Sequence, residues 1–271
     1  MRFDSNQAWK DATSAVSANR DVLLALAGVF FVLPSFAFAV FHPQPDPPAG
    51  ATGEQLFALM GAFYRQAWPV LLAMAAVQMV GTLAMLALFT DRSRPTVGQA
   101  LAQGLNGLLP VIAAQLLLGM GMGLVALIPL AAAAASGVAA AVALVIGLVA
   151  AVMLWAYIRS SLVSPAVMVD GIRNPVAALR RSFALTKGNA GRIAVFFLLL
   201  VVAFVIVVGV VSALFGLAAE MIVGGETATT LTALVSSTGE AVMAVYFVAV
   251  VAATHRQLAG PSADITAARF E

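Results

Sequence analysis

The chain has no cysteine and only two histidines, and just 10% of its 271 residues are charged. Disulfides, thiol chemistry and iron–sulfur clusters are therefore excluded. His42 and His255 have no acidic or histidine neighbour at metal-ligand spacing, so we expect no metal site and no cofactor. With 62% hydrophobic residues, the chain has too few polar residues to form the surface of a water-soluble fold. The composition therefore indicates an integral membrane protein.

Long apolar runs define the expected fold. A helix needs about 20 apolar residues to cross the hydrocarbon core of a bilayer, and backbone groups in lipid must form their hydrogen bonds internally. We expect a single all-α membrane domain, a bundle of six transmembrane helices over residues 22–41, 67–89, 108–130, 139–158, 193–215 and 231–253.

The positions of the positive charges predict the orientation of this bundle, because cytoplasmic loops carry an excess of Lys and Arg. With the N-terminus inside, thirteen of the fourteen Lys and Arg residues are cytoplasmic and only Arg65 is outside. We expect a bacterial cytoplasmic membrane, with the N-terminus and the tail at 254–271 both cytoplasmic. Pro34 followed by Ala37-Phe38-Ala39 resembles a signal-peptidase site. The preceding residues carry three aspartates, so we expect the first span to be retained.

A short amphipathic stretch precedes the first, third and fifth spans, at residues 5–20, 95–106 and 174–187. Such stretches are typical of helices that lie in the membrane plane. Their recurrence has two interpretations. Either the chain contains three copies of one helix-hairpin unit, as membrane proteins often do, or any cytoplasmic linker to a membrane helix needs a similar pattern.

The segment 171–192, which contains the third amphipathic stretch, carries five of the fourteen Lys and Arg residues. Asn174 is suited to cap a helix that begins at Pro175, and Val176, Leu179 and Phe183 form an apolar stripe. One interpretation is a topology anchor. The other is a binding site for anionic lipid head groups or a protein partner, at about 1 kcal/mol per cation. The candidate binding residues are Arg173, Arg180, Arg181, Lys187 and Arg192.

The same region carries a family resemblance. RSSLVSPAVMVDGIRNPVAALRRSFALTKGNAGR, residues 159–192, resembles the central signature of bacterial membrane proteins related to the membrane domain of glycerophosphoryl diester phosphodiesterases and to YciC-like inner-membrane proteins. The matching positions are Arg159, Leu162, Pro165, Ala166, Asp170, Gly171, Pro175, Ala178, Leu179, Arg181, Ser182, Leu185, Thr186 and Gly188. The resemblance implies a polytopic inner-membrane protein connected with envelope lipids. It implies no hydrolytic activity, since in that family the hydrolase is a separate soluble domain.

One acidic residue, Glu240, lies near the middle of the sixth span, where a carboxylate is costly. Ser236 shares its helix face, and Gln78 and Gln115 are candidate partners on other spans. Glu240 either lines a wet functional cavity or makes an interhelical hydrogen bond worth about 1 kcal/mol.

Small residues recur every four positions along the third and fourth spans. This spacing lets helix backbones approach closely, and we expect it to pack the hairpin of these two spans internally, with a dimer face as the alternative. The positions are Gly119 and Gly123 in the third span, and Ala139, Ala143, Gly147 and Ala151 in the fourth.

The function expected from these patterns is non-catalytic, because no phosphate-binding loop, zinc spacing or nucleophile set is present. We expect a protein that interacts with anionic membrane lipids or is an accessory subunit of a larger membrane complex. Its expected partners are lipids, other membrane proteins or further copies of itself. A net charge of only +2 does not favour nucleic acid. The alternative is a small transporter or lipid flippase that uses Glu240.

Overall fold

The computed structural model describes residues 2–90 and 96–260, and every regular element in these ranges is a helix. A π-helical turn at Gly28–Val32 joins the second and third α-helices into one continuous rod. The α-helices are α1 Ser5–Ala18, α2 Arg20–Ala27, α3 Leu33–Phe41, α4 Gly53–Thr90, α5 Val97–Ala135, α6 Ala139–Ser160, α7 Val163–Met168, α8 Pro175–Thr186, α9 Ala190–Ile222 and α10 Gly225–Ala259.

Six helical segments are long and apolar enough to cross a membrane, which confirms the predicted all-helical architecture with six candidate spans. Their mean hydropathy lies between 1.8 and 3.4. The segments are Arg20–Phe41, Gly53–Thr90, Val97–Ala135, Ala139–Met168, Ala190–Ile222 and Gly225–Ala259. Most extend beyond the predicted spans, because a helix continues past the apolar residues that hydropathy detects.

The second amphipathic stretch differs from the prediction. The described part of 95–106 is not a separate helix but the first three turns of α5, which begins after Thr96. The Thr96 hydroxyl accepts a hydrogen bond from the Gln99 backbone, and the Gln99 side chain accepts one from the Thr96 backbone. Such a capping box starts a helix firmly. Helix α5 then continues through Pro110. Arg92, Arg94, Pro95 and the tail beyond Gly260, with Arg269, lie outside the described residues.

The first and third amphipathic stretches do form separate helices. Helix α1 begins after Asp4, whose carboxylate accepts a hydrogen bond from the Gln7 backbone, and it packs on α10 through Ala8 and Ala12, both fully buried. Helix α8 corresponds to the third stretch. The predicted relation of the three stretches as copies of one unit stays a prediction.

The core lies at one end of the bundle. The buried segments there are 83–89 in α4, 245 and 248–255 in α10, and most of α7. The N-terminus closes this end, because the Phe3 N–H donates to the Asn189 side chain at 2.9 Å and the Asp4 N–H donates to Gln257 at 3.2 Å. At the other end, large apolar side chains are exposed, as lipid-facing side chains should be. Examples are Leu124, Ile128, Met221 and Ile222.

The expected internal packing of the small residues in the third and fourth spans is wrong. Ala139, Ala143, Gly147 and Ala151 are all exposed, and nothing lies within 4 Å of a Cβ placed on Gly119, Gly123 or Gly147. Helix α6 is buried instead at its other end, at Ala156 and Ile158. A spacing of four defines a helix face but not what covers it. The dimer face stays a prediction.

Close helix approach occurs elsewhere. A Cβ on Gly104 of α5 would lie 3.0 Å from the backbone nitrogen of Ala84 in α4, and one on Gly239 of α10 would lie 2.8 Å from a Val208 methyl in α9. These contacts lie between the helix pairs that pack most extensively. Glycine permits this approach because it has no side chain.

Candidate functional site

Helix α8 is fixed to the bundle by its small and polar side. Asn174 caps it, accepting hydrogen bonds from the backbone N–H groups of Val176 and Ala177 at 2.9 and 3.1 Å. The fully buried positions are Ala178, Ser182 and Thr186, spaced four apart. The predicted apolar stripe is not the side of α8 that is fully buried against the bundle. Val176 is 46% exposed, and Leu179 and Phe183 are half-buried.

Ser182 holds α8 against the end of α6. Its hydroxyl donates to the Arg159 carbonyl at 2.7 Å and accepts from the Leu162 N–H at 3.1 Å. The last carbonyls of a helix have no partner within it, so this serine satisfies one of them, together with the N–H of Leu162 two residues beyond the end of α6. The orientation of α8 is therefore set by buried hydrogen bonds.

Asp170 ties α8 to α10. Its carboxylate accepts from Arg181 Nε at 2.7 Å and lies 3.3 Å from Nε2 of His255, whose side chain is 1% exposed. Burial raises the pKa of Asp170, but the hydrogen bonds from His255 and Arg181, together with their positive charge, outweigh burial and lower it below the ordinary value of 3.8. Arg181, predicted as a binding residue, therefore has a structural partner.

The other predicted cations divide into two groups. Arg173 donates through its guanidinium to the backbone carbonyl of Asn106, so it connects the loop before α8 to α5. Arg180, Lys187 and Arg192 are exposed, and within residues 2–90 and 96–260 none of them has an ion pair or a side-chain hydrogen bond. These three side chains are available to an external anion.

Arg159, which sequence reasoning did not select as a site residue, lies at the same end. Its guanidinium carbon is 5.6 Å from the ring centroid of Trp155 and 5.1 Å from that of Phe183. Both distances are within the range of a cation–π interaction. The Nε atom is buried and makes no hydrogen bond to the described residues. The sequence signal was available, since Trp155 and Arg159 are one helical turn apart.

Glu240 lines a cleft of about 540 Å³ between the first, second, fifth and sixth spans. The Ser236 hydroxyl donates to the Ser212 hydroxyl across this cleft at 2.9 Å. Ser35 lines the same cleft as Glu240 and accepts from Gln78 Nε2 at 3.3 Å. Ser236 and Gln78 therefore lie in the cleft with Glu240, as the sequence suggested.

Gln115 lies elsewhere. It lines a second cavity, of about 560 Å³, whose polar lining also includes Tyr157, Ser160 and Ser164. Gln78 and Phe31 line both cavities, so they lie between the two spaces. Phe31 belongs to the π-helical turn, a rare irregularity that occurs frequently at functional sites. Amide and hydroxyl side chains thus line the two cavities from the α8 end of the bundle to Glu240.

Comparison with known proteins adds no assignment. No family model matches the chain, and no curated protein or solved structure matches it significantly. The resemblance of residues 159–192 to the phosphodiesterase-related membrane family therefore stays a prediction. In residues 2–90 and 96–260, no group of three or more histidine, aspartate or glutamate side chains is placed to hold a metal ion.

Proposed function

We propose that the chain is a non-catalytic protein of the bacterial inner membrane that binds anionic lipid head groups through the exposed cations at its α8 end. The observation that carries this proposal is a set of three unpaired cations, Arg180 on α8 and Lys187 and Arg192 shortly after it in the chain. Helix α8 also exposes Val176 and leaves Leu179 and Phe183 half-buried. A helix that presents cations above an apolar stripe is suited to the boundary between head groups and acyl chains.

The orientation follows from the same charges. With both termini in the cytoplasm, Arg180, Lys187 and Arg192 face the inner leaflet, where anionic lipids produce a negative surface potential. The predicted excess of thirteen cations to one supports this side. The accessory-subunit role predicted from the sequence uses the same surface, with an acidic protein segment in place of the lipid.

The test removes only the cations that have no structural partner. Each cation near a membrane surface contributes about 1 kcal/mol, so the triple variant Arg180→Gln, Lys187→Gln, Arg192→Gln should lose about 3 kcal/mol, on the order of 100-fold in affinity. Arg173 and Arg181 are left intact because they hold the fold together. The matched control is Arg65→Gln, an exposed cation predicted to face the opposite side.

The protein is reconstituted in a mixture of phosphatidylglycerol and phosphatidylcholine and then extracted into mild detergent, and the retained lipids are quantified. We expect wild type and Arg65→Gln to retain phosphatidylglycerol preferentially and the triple variant to lose the preference. Equal retention by the triple variant would refute lipid binding at this surface. A stoichiometric protein that co-purifies with wild type but not with the triple variant would instead favour the accessory subunit.

A second candidate function is a small transporter or lipid flippase, favoured by the cleft at Glu240 and its connection through Gln78 to the second cavity. An intramembrane acid that lines a cavity is a typical element of a transport path. In proteoliposomes, Glu240→Gln should abolish flipping of fluorescent phosphatidylglycerol or proton flux. The matched control Glu220→Gln, at the far end of α9, should not. Absence of both activities from the wild type would remove this candidate.

A further inference from the structure

An apolar groove of about 590 Å³ runs between α5, α6 and α8. Its walls are side chains of α5 and α6, among them Leu117, Val125 and Val152, and its α8 end is formed by Trp155, Phe183 and Arg180. From position 117 to position 125 the helix rises about 12 Å, at about 1.5 Å per residue. The groove therefore leads from a cation at the proposed head-group level into the apolar layer.

Two cations adjoin the α8 end of this groove. Arg180 lines it directly. Arg159 lies over the rings of Trp155 and Phe183, which both line it. No ion pair joins either arginine to another described residue.

Arg159 in particular lacks an acceptor. It is half-buried, and its Nε atom is shielded from solvent without a hydrogen bond. A buried donor left without a partner costs free energy, and the cost is larger when the group is charged. The guanidinium fork matches the oxygens of a phosphate group. An anionic phosphate oxygen at this position would provide the missing acceptor.

Gly121 keeps the apolar part of the groove open. It lies on the groove wall, and nothing lies within 4 Å of a Cβ placed on it. The groove thus has space for a chain of methylene groups beside an anion-binding end. An amphiphile with a phosphate head and an acyl tail has matching chemistry at both ends.

We propose that this groove binds one anionic phospholipid, with its phosphate between Arg159 and Arg180 and one acyl chain along α5 and α6. The inference rests on the proposed function, to which it adds a defined site and a stoichiometry of one. It differs from general attraction to a basic surface because it requires the apolar groove as well as the charge.

The experiment counts the phosphatidylglycerol molecules that remain bound when the detergent-solubilised protein is measured by native mass spectrometry. Gly121→Leu fills the groove, and Arg180→Gln, a change at an exposed position, removes a cation. Gly147→Leu is the matched control, since Gly147 is exposed on α6 outside the groove and also has nothing within 4 Å of a Cβ.

We expect wild type and Gly147→Leu to retain one phosphatidylglycerol, and Gly121→Leu and Arg180→Gln to reduce its occupancy at least fivefold. Arg159→Lys, which keeps the charge but not the planar fork, should reduce it less than Arg159→Gln. Unchanged occupancy in both Gly121→Leu and Arg180→Gln would overturn the proposal. A dimer in wild type that Gly121→Leu dissociates would also overturn it, because the groove would then hold a second copy of the chain.

A further variant separates this inference from the proposed function. Lys187→Gln with Arg192→Gln removes exposed cations that do not line the groove. If the general preference for anionic lipid falls in this variant while Gly121→Leu has no effect, the proposed function survives and the groove does not. If only Gly121→Leu and Arg180→Gln reduce the occupancy of bound phosphatidylglycerol, the single site survives without the broader basic surface.

Discussion

Replacement of Asp170 by asparagine tests the contact that holds α8 to α10. The carboxylate of Asp170 contacts two donors, Nε of Arg181 at 2.7 Å and Nε2 of the buried His255 at 3.3 Å. Asparagine has nearly the same shape but no charge, and its single carbonyl cannot serve both donors as strongly. One of the two donors is then left facing an amide NH₂ group.

The expected cost follows from this geometry. A buried donor that loses its partner costs about 1–3 kcal/mol, which corresponds to a fall of roughly 2–12 °C in Tm at about 2–4 °C per kcal/mol for a large domain. The side chain of Asp170 is only 19% exposed, so water does not fully replace the lost bonds. Helix α8 should loosen before the rest of the bundle, because the remaining helices keep their own contacts.

The assay is thermal unfolding in mild detergent, followed by intrinsic fluorescence and by loss of the monodisperse chromatographic peak. Trp155 contacts Phe183 of α8 with ring centroids 5.8 Å apart, so its emission reports on this helix. The control is Asp21→Asn. Its ion pair with Arg20 is 3.5 Å long and largely exposed, and exposed pairs contribute little. If Asp170→Asn unfolds at the same temperature as wild type and Asp21→Asn, the assigned role of Asp170 is wrong.

Two further predictions use the same assay. Gly104→Ala should lower the free energy of unfolding by about 1–3 kcal/mol, since its Cβ would lie 3.0 Å from the Ala84 backbone. Gly98→Ala is the control, because nothing lies within 4 Å of a Cβ at that position. Equal Tm values for the two variants would contradict the close approach of α4 and α5. The lowered pKa of Asp170 means that its carboxylate stabilises the fold above the unfolded pKa, and that this contribution is lost as pH falls below 3.8 through the lowered value. Asp170→Asn should therefore be less sensitive to acid than wild type in this range, and equal sensitivity would contradict the assignment.

The span count was predictable because the hydropathy of a membrane helix is a property of the local sequence. The ends of the helices were not. The pattern predicts a separate amphipathic helix over 95–106, but the described residues 97–106 continue into the third span as one helix. Apolarity does not show where one helix stops and the next begins, because helix ends depend on capping and backbone hydrogen bonds. Helix α7 was missed since six residues carry too little periodicity to identify a helix.

The candidate site was predicted only in part. The capped helix α8 follows from adjacent residues, so Asn174 and Pro175 were sufficient to predict it. The contact between Asp170 and His255 joins residues 85 apart in sequence, and no local pattern encodes it. For the same reason, the sequence did not separate the structurally paired Arg173 and Arg181 from the unpaired Arg180 and Lys187.

The proposed function requires that the cation-bearing end of the bundle faces the cytoplasm. Because the chain has no cysteine, a single introduced cysteine reports its own side of the membrane without background. Lys187→Cys and Glu226→Cys are suitable, since both positions are exposed and lie at the opposite ends of α9, just before it begins and just beyond it.

Each variant is treated in intact cells of a bacterial expression host with a maleimide that does not cross the membrane. We expect that the cysteine at position 226 is labelled in intact cells and that the one at position 187 is labelled only after the membrane is opened. Labelling of position 187 in intact cells would contradict the orientation, and with it the assignment of the basic surface to cytoplasmic-leaflet lipids.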